Sequence, residues 1–138
     1  MSQPNPQDKN FQVTPPRHPT LPIVQYLITA YKVWHELLPH MPKDCRYTLG
    51  VKIDGLLVET IDFILTAAYL DSNQKLQHLP KAAVKLDLAK FFLQITWEIK
   101  AITNKQYVLI SERLDGIGRM LGGWIRQLQK QNSPAKTG

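Results

Sequence analysis

The segment YVLISERLDGIGRMLGGWIRQL, residues Tyr107–Leu128, has the clearest periodicity in this chain of 138 residues. Its large apolar side chains recur at alternating three- and four-residue steps: Tyr107, Ile110, Leu114, Ile117, Leu121, Trp124 and Leu128. This is the a/d pattern of a helix that packs one face against other helices. The pattern predicts a long amphipathic helix from about Lys105 to Lys130, with Asn104 as its N-cap.

Three earlier segments also have helical periodicity. The first predicted helix covers about Leu21 to Leu38, with Thr20 as a candidate N-cap, and the prolines at 39 and 42 end it. The second covers about Lys43 to Leu70. The third covers about Gln74 to Thr103, follows the capping turn at 71–73, and should kink or break near Pro80. Four long helices with short connections predict an all-α fold, an up-down-up-down four-helix bundle.

Apolar content and the position of the prolines predict where the folded domain begins and ends. An apolar content of 43% supports one packed domain, which we place at residues 21–131. Five prolines among the first 20 residues predict a flexible Pro-rich arm over 1–20, and the polar residues 132–138 predict a disordered tail.

No apolar run is long enough to span a bilayer, and the N-terminus lacks the apolar stretch of a secretory signal. A cytoplasmic protein without a membrane partner is therefore expected.

The third predicted helix has two apolar faces. One face contains Val84, Leu88, Phe91, Ile95 and Ile102. The other, roughly opposite at 100° per residue, contains Leu79, Leu86, Leu93 and Trp97. A helix in a single four-helix bundle needs only one buried face, so the second face predicts an oligomer in which Leu79, Leu86, Leu93 and Trp97 form the interface. Coverage of that face by the ends of other helices is the alternative.

A formal net charge of +6 favours an anionic partner such as nucleic acid. Arg119, Arg126 and Lys130 lie opposite the apolar seam of the last helix, beside several glycines that would let a phosphate backbone or a protein surface come close. An ordinary solvated charged face is the alternative reading. The complete set of candidate nucleic-acid or partner-binding residues is Lys43, Arg46, Lys52, Lys81, Lys85, Arg119, Arg126 and Lys130.

The sequence lacks a recognisable catalytic or metal-binding motif. It contains no Gly-rich phosphate loop, no GxSxG elbow and no HExxH. His35, His40 and Cys45 do not have zinc-finger spacing, and prolines interrupt them. We therefore expect a protein that is not an enzyme and that uses no cofactor or metal.

Three segments carry a family resemblance: LPHMPKDCRYTLGVKID (38–54), KLDLAKFFLQITWEIKAI (85–102) and ISERLDGIGRMLGGWI (110–125). The chain resembles the accessory variability determinant (Avd) of diversity-generating retroelements over about Leu21 to Leu128. A looser relationship is to the four-helix proteins encoded in intervening sequences of large-subunit ribosomal RNA genes.

The resemblance implies a four-helix protomer that assembles into a homopentameric barrel with a basic surface. It also implies two partners, the retroelement reverse transcriptase and the template RNA, with DNA as a further candidate. In that system the accessory protein supports cDNA synthesis and adenine-specific mutagenesis. The alternative is an oligomeric helical protein of the ribosomal intervening-sequence type, without a reverse-transcriptase partner.

Overall fold

A computed structural model describes residues 21–132, and within this range the chain is helical with no strand. Helix α1 covers Pro22–Leu37. Helix α2 is continuous and consists of Lys43–Cys45, a π-helical turn at Arg46–Gly50 and Val51–Ala68. Helices α3 and α4 cover Ser72–Glu98 and Asn104–Asn132. The predicted all-α class and the four helices are confirmed. The predicted arm, Thr20 and most of the predicted tail lie outside the described residues.

The four helices alternate in direction around a common core. Helix α2 packs against α1 and α3, and α4 packs against α3 and α1. Helices α2 and α3 are antiparallel, because Glu59 meets Lys85 whereas the earlier Lys52 meets the later Phe92. Helices α3 and α4 are antiparallel as well, because Lys90 meets Asp115 whereas the earlier Leu86 lies beside the later Gly118. The core consists of aliphatic side chains from all four helices and of Trp34, which is fully buried. The arrangement is an up-down-up-down bundle of the kind that the spacing predicts.

A short corner, held by hydrogen bonds from Arg46, joins α1 to α2. Pro39 and Pro42 end regular α-helix here, and Leu38–His40 forms a single 3₁₀ turn. The Arg46 Nη2 donates to the carbonyl oxygens of Pro39 at 2.8 Å and Met41 at 3.1 Å. A Cβ atom on Gly50 would lie 2.7 Å from Leu38 Cδ1, so the glycine lets this corner pack directly on the π-helical turn.

Helix α3 begins with a side-chain cap and ends in a left-handed residue. The Asp71 carboxylate accepts from the Gln74 N–H at 2.9 Å, which confirms the predicted capping turn. The helix continues through Pro80, so the expected break does not occur. At the other end, the N–H groups of Lys100 and Ala101 donate to the carbonyls of Trp97 and Thr96, the pattern of a Schellman motif. Lys100 has φ 64°, a conformation that costs a non-glycine residue about 1–2 kcal/mol.

Helix α4 starts with a reciprocal capping box. The Thr103 hydroxyl accepts from the Gln106 N–H at 3.1 Å, and the Gln106 side chain accepts from the Thr103 N–H at 2.9 Å. The expectation that Asn104 is the N-cap is therefore wrong by one residue. The Asn104 side chain instead accepts from Trp97 Nε1 at 2.6 Å and ties the end of α3 to the start of α4.

A half-buried carboxylate links α1 to α2. Asp54 Oδ1 accepts from the Tyr31 hydroxyl at 2.7 Å and from Trp34 Nε1 at 3.1 Å. The hydrogen bond to Asp54, followed by burial and by the charge of Asp54, raises the pKa of Tyr31. Asp54 thus satisfies the one polar atom of a buried tryptophan. Among the described residues, no helix is long and apolar enough to cross a membrane.

Candidate nucleic-acid and partner-binding surfaces

A polar groove runs between α3 and α4. It has a volume of about 540 Å³. Its lining residues are Asp87 and Lys90 from α3, and Asp115, Gly118, Arg119, Gly122 and Arg126 from α4. The structure thus brings the predicted Arg119 and Arg126 together with two of the glycines in one open feature. We call it the α3–α4 groove.

The glycines of α4 leave room for the arginine side chains rather than for a tightly packed helix. A Cβ atom on Gly122 would lie 3.4 Å from Arg126 Nη1, and one on Gly116 would lie 3.8 Å from Arg119 Nη2. Each guanidinium therefore extends back over bare helix surface. A Cβ atom on Gly118 would meet Leu86 Cδ2 at an ordinary 3.7 Å, so helix packing at this position does not require a glycine.

The charge of the groove is positive on balance. Lys90 Nζ lies 2.7 Å from Asp115 Oδ1, so these two charges largely cancel. Arg119 and Arg126 are exposed and face solvent along with the remaining acid, Asp87. A guanidinium stays protonated and presents several donors in one plane, which suits phosphate or carboxylate oxygens. The groove can therefore bind an anionic group through its two arginines.

The other predicted basic residues lie elsewhere. Lys85 Nζ pairs with Glu59 Oε2 at 3.0 Å on the α2 side of α3, and Lys52 Nζ lies 5.9 Å above the Phe92 ring on that side. Lys52 and Lys85 thus lie on a different side of α3 from Arg119 and Arg126. Lys43, Lys81 and Lys130 are exposed.

Arg46 has a role inside the chain. Its guanidinium donates to two carbonyls of the α1–α2 corner, and its Nε atom is buried without a hydrogen-bond partner. A guanidinium held in this way stabilises the corner and presents less of its charge to a partner. The proline-rich context of Arg46 in the sequence indicated a helix end but did not reveal this contact.

Three of the four residues expected at an oligomer interface are buried within one protomer. Leu79, Leu86 and Leu93 are at most 1% exposed within one protomer, so they belong to the core. Trp97 is half-buried and stacks on Tyr107, with ring centroids 4.7 Å apart. The buried positions of α3 alternate leucine with small residues: Leu79, Ala82, Leu86, Ala89, Leu93 and Thr96. This second heptad pattern, which large apolar residues alone do not reveal, decides the inward face.

Three apolar side chains of the other predicted face of α3 lie on the outside of the bundle, whereas Ile102 of that face is buried. Val84 is 58% exposed, Leu88 39% and Phe91 56%. On the neighbouring helix α2, Val51 and Val58 are exposed as well. We call Val84, Leu88 and Phe91 the outer stripe. A spare apolar face therefore exists on α3, as the sequence predicts, but it is the opposite face.

Metal and thiol chemistry have little support in the described part of the chain. Residues 21–132 contain no group of three or more histidine, cysteine or acidic side chains that could hold a metal ion. Partial burial, followed by the charge and the hydrogen bond of Asp44, raises the pKa of the Cys45 thiol. The thiolate is thus disfavoured, which is the opposite of what a nucleophilic cysteine needs.

A protein-family profile described as bAvd-like matches residues 23–128. The chain belongs to the bAvd-like family. The match spans all four helices and includes the α3–α4 groove and the outer stripe, so the family assignment confirms the resemblance found in the three sequence segments. No functionally curated protein shows significant similarity to this bAvd-like chain.

Proposed function

We propose that this chain is the accessory protein of a diversity-generating retroelement. In this role it is a basic oligomeric scaffold that binds the reverse transcriptase and template RNA and supports mutagenic cDNA synthesis. Membership of the bAvd-like family over residues 23–128 is the observation that carries the proposal. The net charge of +6 supports an RNA partner, because sequence-independent binding to nucleic acid depends on neutralising phosphates.

Self-association is the second part of the proposal. The outer stripe of Val84, Leu88 and Phe91 is the surface that we assign to contacts between protomers, in a ring of five. Burying apolar area drives most protein association, and the outer stripe is a row of exposed apolar side chains about one turn apart on a single face of α3. A ring would also repeat the basic surfaces around its circumference, so that weak single contacts add up on one RNA.

The α3–α4 groove is the surface that we assign to an anionic partner. Arg119 and Arg126 lie two helical turns apart on α4, about 10 Å along the axis. Each can bind a phosphate or a carboxylate without supporting the core, because the buried residues of α4 are on its other face. Replacing both arginines by alanine should therefore remove binding while leaving the fold intact.

Co-expression with the reverse transcriptase of the same retroelement tests the proposal. Wild-type chain should co-purify with the enzyme, bind the template RNA with an affinity that falls steeply with salt, and raise cDNA yield. The Arg119→Ala, Arg126→Ala double variant should keep its helicity and melting temperature, because exposed charge removals change stability by less than about 0.5 kcal/mol. It should lose much of the affinity for the RNA or the enzyme.

Leu121→Ala is the matched control on the same helix. Leu121 is 1% exposed, so its truncation opens a cavity and should cost about 2–5 kcal/mol. If the arginine pair unfolds the protein instead, these residues are structural and the groove assignment is wrong. An oligomeric chain that binds neither the enzyme nor RNA would favour the ribosomal intervening-sequence type of function.

A further inference from the structure

Two irregular backbone segments lie at the same end of the bundle. One is the π-helical turn Arg46–Gly50 in α2, and the other is the left-handed residue Lys100 after α3. Helices α2 and α3 are antiparallel, so residues before Lys52 in α2 lie at the level of residues after Phe92 in α3. This register brings Tyr47 level with Trp97 and places Lys43 near the level of Lys100.

The side chains at this end combine positive charge with exposed apolar groups. Tyr47 is 65% exposed and Ile99 is 53% exposed. Lys43, Lys100 and Lys105 are exposed as well. Lys105 belongs to this end because it lies in the first turn of α4, directly after the α3–α4 connection. We call Lys43, Tyr47, Ile99, Lys100 and Lys105 the lysine end.

Acidic groups dilute the charge of this end only in part. Asp44 and Glu98 are the acids on the same segments, and both are exposed, as is Glu36 in the last turn of α1 at this end. The Glu98 carboxylate accepts from Gln94 Nε2 at 3.3 Å, one turn back along α3. None of these acids forms an ion pair of 4.0 Å or less with a described lysine, since the two such pairs in residues 21–132 are Lys85–Glu59 and Lys90–Asp115. The three lysines therefore remain available to an anionic partner.

Backbone geometry points to a function at this end. A left-handed residue that closes a Schellman motif is usually glycine, and lysine at φ 64° lowers stability relative to it. π-helical turns are rare in proteins, and those that occur are often found at functional sites. Residues in unfavourable backbone conformations are common at functional sites. Lys100 and the π-helical turn lie at the same end as the exposed Tyr47 and three lysines, and this supports a binding role.

We propose that the lysine end binds single-stranded nucleic acid, with an unpaired base stacked on Tyr47 and backbone phosphates bound by Lys43, Lys100 and Lys105. This inference rests on the RNA binding proposed above and specifies where and in which form the RNA is bound. Exposed aromatic rings combined with positive charge are how proteins bind single strands without sequence preference. A duplex fits less well because its bases are already stacked and cannot reach a side-chain ring.

The stacking contact is tested with variants of Tyr47. Binding is measured for an unstructured 20-nucleotide RNA and for the same sequence as a duplex. Tyr47→Ala should weaken binding to the single strand by about fivefold or more, the lower end of what a lost stacked base costs. Tyr47→Phe should retain the affinity, because the ring remains. Tyr69→Ala is the matched control, since Tyr69 is 69% exposed at the opposite end of the bundle.

The phosphate contacts are tested through salt dependence. Lys43→Ala with Lys100→Ala and Lys105→Ala should reduce the slope of log affinity against log salt by about 2, since each contact to a single strand contributes about 0.7. Lys32→Ala with Lys75→Ala is the control for general loss of charge. Lys100→Gly is the sharpest single variant: it should raise the melting temperature, because glycine tolerates φ 64°, and at the same time weaken RNA binding.

The outcomes separate the two proposals. If the wild-type chain binds no RNA, the proposed function fails. If it binds RNA and loses binding in the Arg119→Ala, Arg126→Ala variant but not in the Tyr47 and lysine variants, the lysine end is not an RNA site and this inference alone is overturned. A change of oligomer mass in Tyr47→Ala would also overturn it, because Tyr47 would then be buried between protomers.

Discussion

Truncating two side chains that lie five residues apart on α3 should have opposite consequences. Leu86 is 1% exposed and Phe91 is 56% exposed, so they point to opposite sides of the helix. Leu86→Ala should destabilise the protomer by about 2–5 kcal/mol, the usual cost of a cavity at a buried leucine. Phe91→Ser should leave the folded protomer nearly unchanged and weaken self-association.

The size of the Phe91 effect follows from its exposed area. An aromatic side chain carries roughly 150–250 Å² of surface, so an exposure of 56% leaves about 110 Å² to be covered by a neighbouring protomer. At about 25 cal/mol per Å², full coverage contributes at most about 3 kcal/mol to one contact between protomers. Losing it should weaken that contact by up to roughly 100-fold.

Two measurements distinguish the variants. Sedimentation over a range of protomer concentrations reports the mass, and thermal unfolding followed by circular dichroism reports the fold. Both variants are compared at one concentration, because association itself raises an apparent melting temperature. If Phe91→Ser lowers helicity while Leu86→Ala does not, the inward and outward faces of α3 have been confused. If Phe91→Ser keeps the wild-type mass at every concentration, the outer stripe is not the protomer contact.

Three further predictions concern the hydrogen bonds of the bundle. Asp54→Ala should cost about 1–3 kcal/mol in chemical denaturation, because it leaves the fully buried Trp34 without its acceptor, and Asp54→Asn should cost less. The raised pKa of Tyr31 means that the folded state holds the phenol proton more tightly, so this contribution to stability is complete below the ordinary pKa of 10.0 and is lost as pH rises through the higher folded pKa. Alkaline unfolding of Tyr31→Phe should lack that loss, and an unchanged profile would mean that the bond to Asp54 does not persist in solution. Thr103→Ala should lower stability by about 1 kcal/mol through loss of the capping box, whereas Asn104→Ala should spare that box and loosen only the contact to Trp97.

Apolar periodicity, together with prolines and capping residues at the helix ends, was enough to predict the four helices. The seam from Tyr107 to Leu128 has a single apolar face, and its buried members are those at the predicted positions: Ile110, Leu114, Ile117, Leu121 and Leu128. The capping turn before α3 was also readable, because Asp71 precedes the helix at the position where a carboxylate can accept from its first turn.

The large apolar residues of α3 do not determine which of its faces is buried. Val84, Leu88 and Phe91 have the same spacing as Leu79, Leu86 and Leu93, so the period identifies a helix but does not say which face is inside. Alanines at 82 and 89 resolve the choice, because small side chains allow the neighbouring helices to approach. The sequence also did not show which helices the basic side chains face. Lys85 and Arg119 are both basic helical residues, but Lys85 faces α2 and Arg119 faces the groove between α3 and α4.

The π-helical turn at Arg46–Gly50 has a consequence for how this protein tolerates insertions and deletions. A π-helical turn holds one residue more than an α-helical turn, so the residues before it are displaced by about 100° in phase from an uninterrupted helix. Deleting one residue here would restore a regular helix while rotating Lys43 and the whole α1–α2 corner around the axis. It would also move Gly50 away from the Leu38 side chain that packs directly against it. A one-residue deletion within 46–50 should therefore be far more damaging than any single substitution there, even though most of these side chains are not buried.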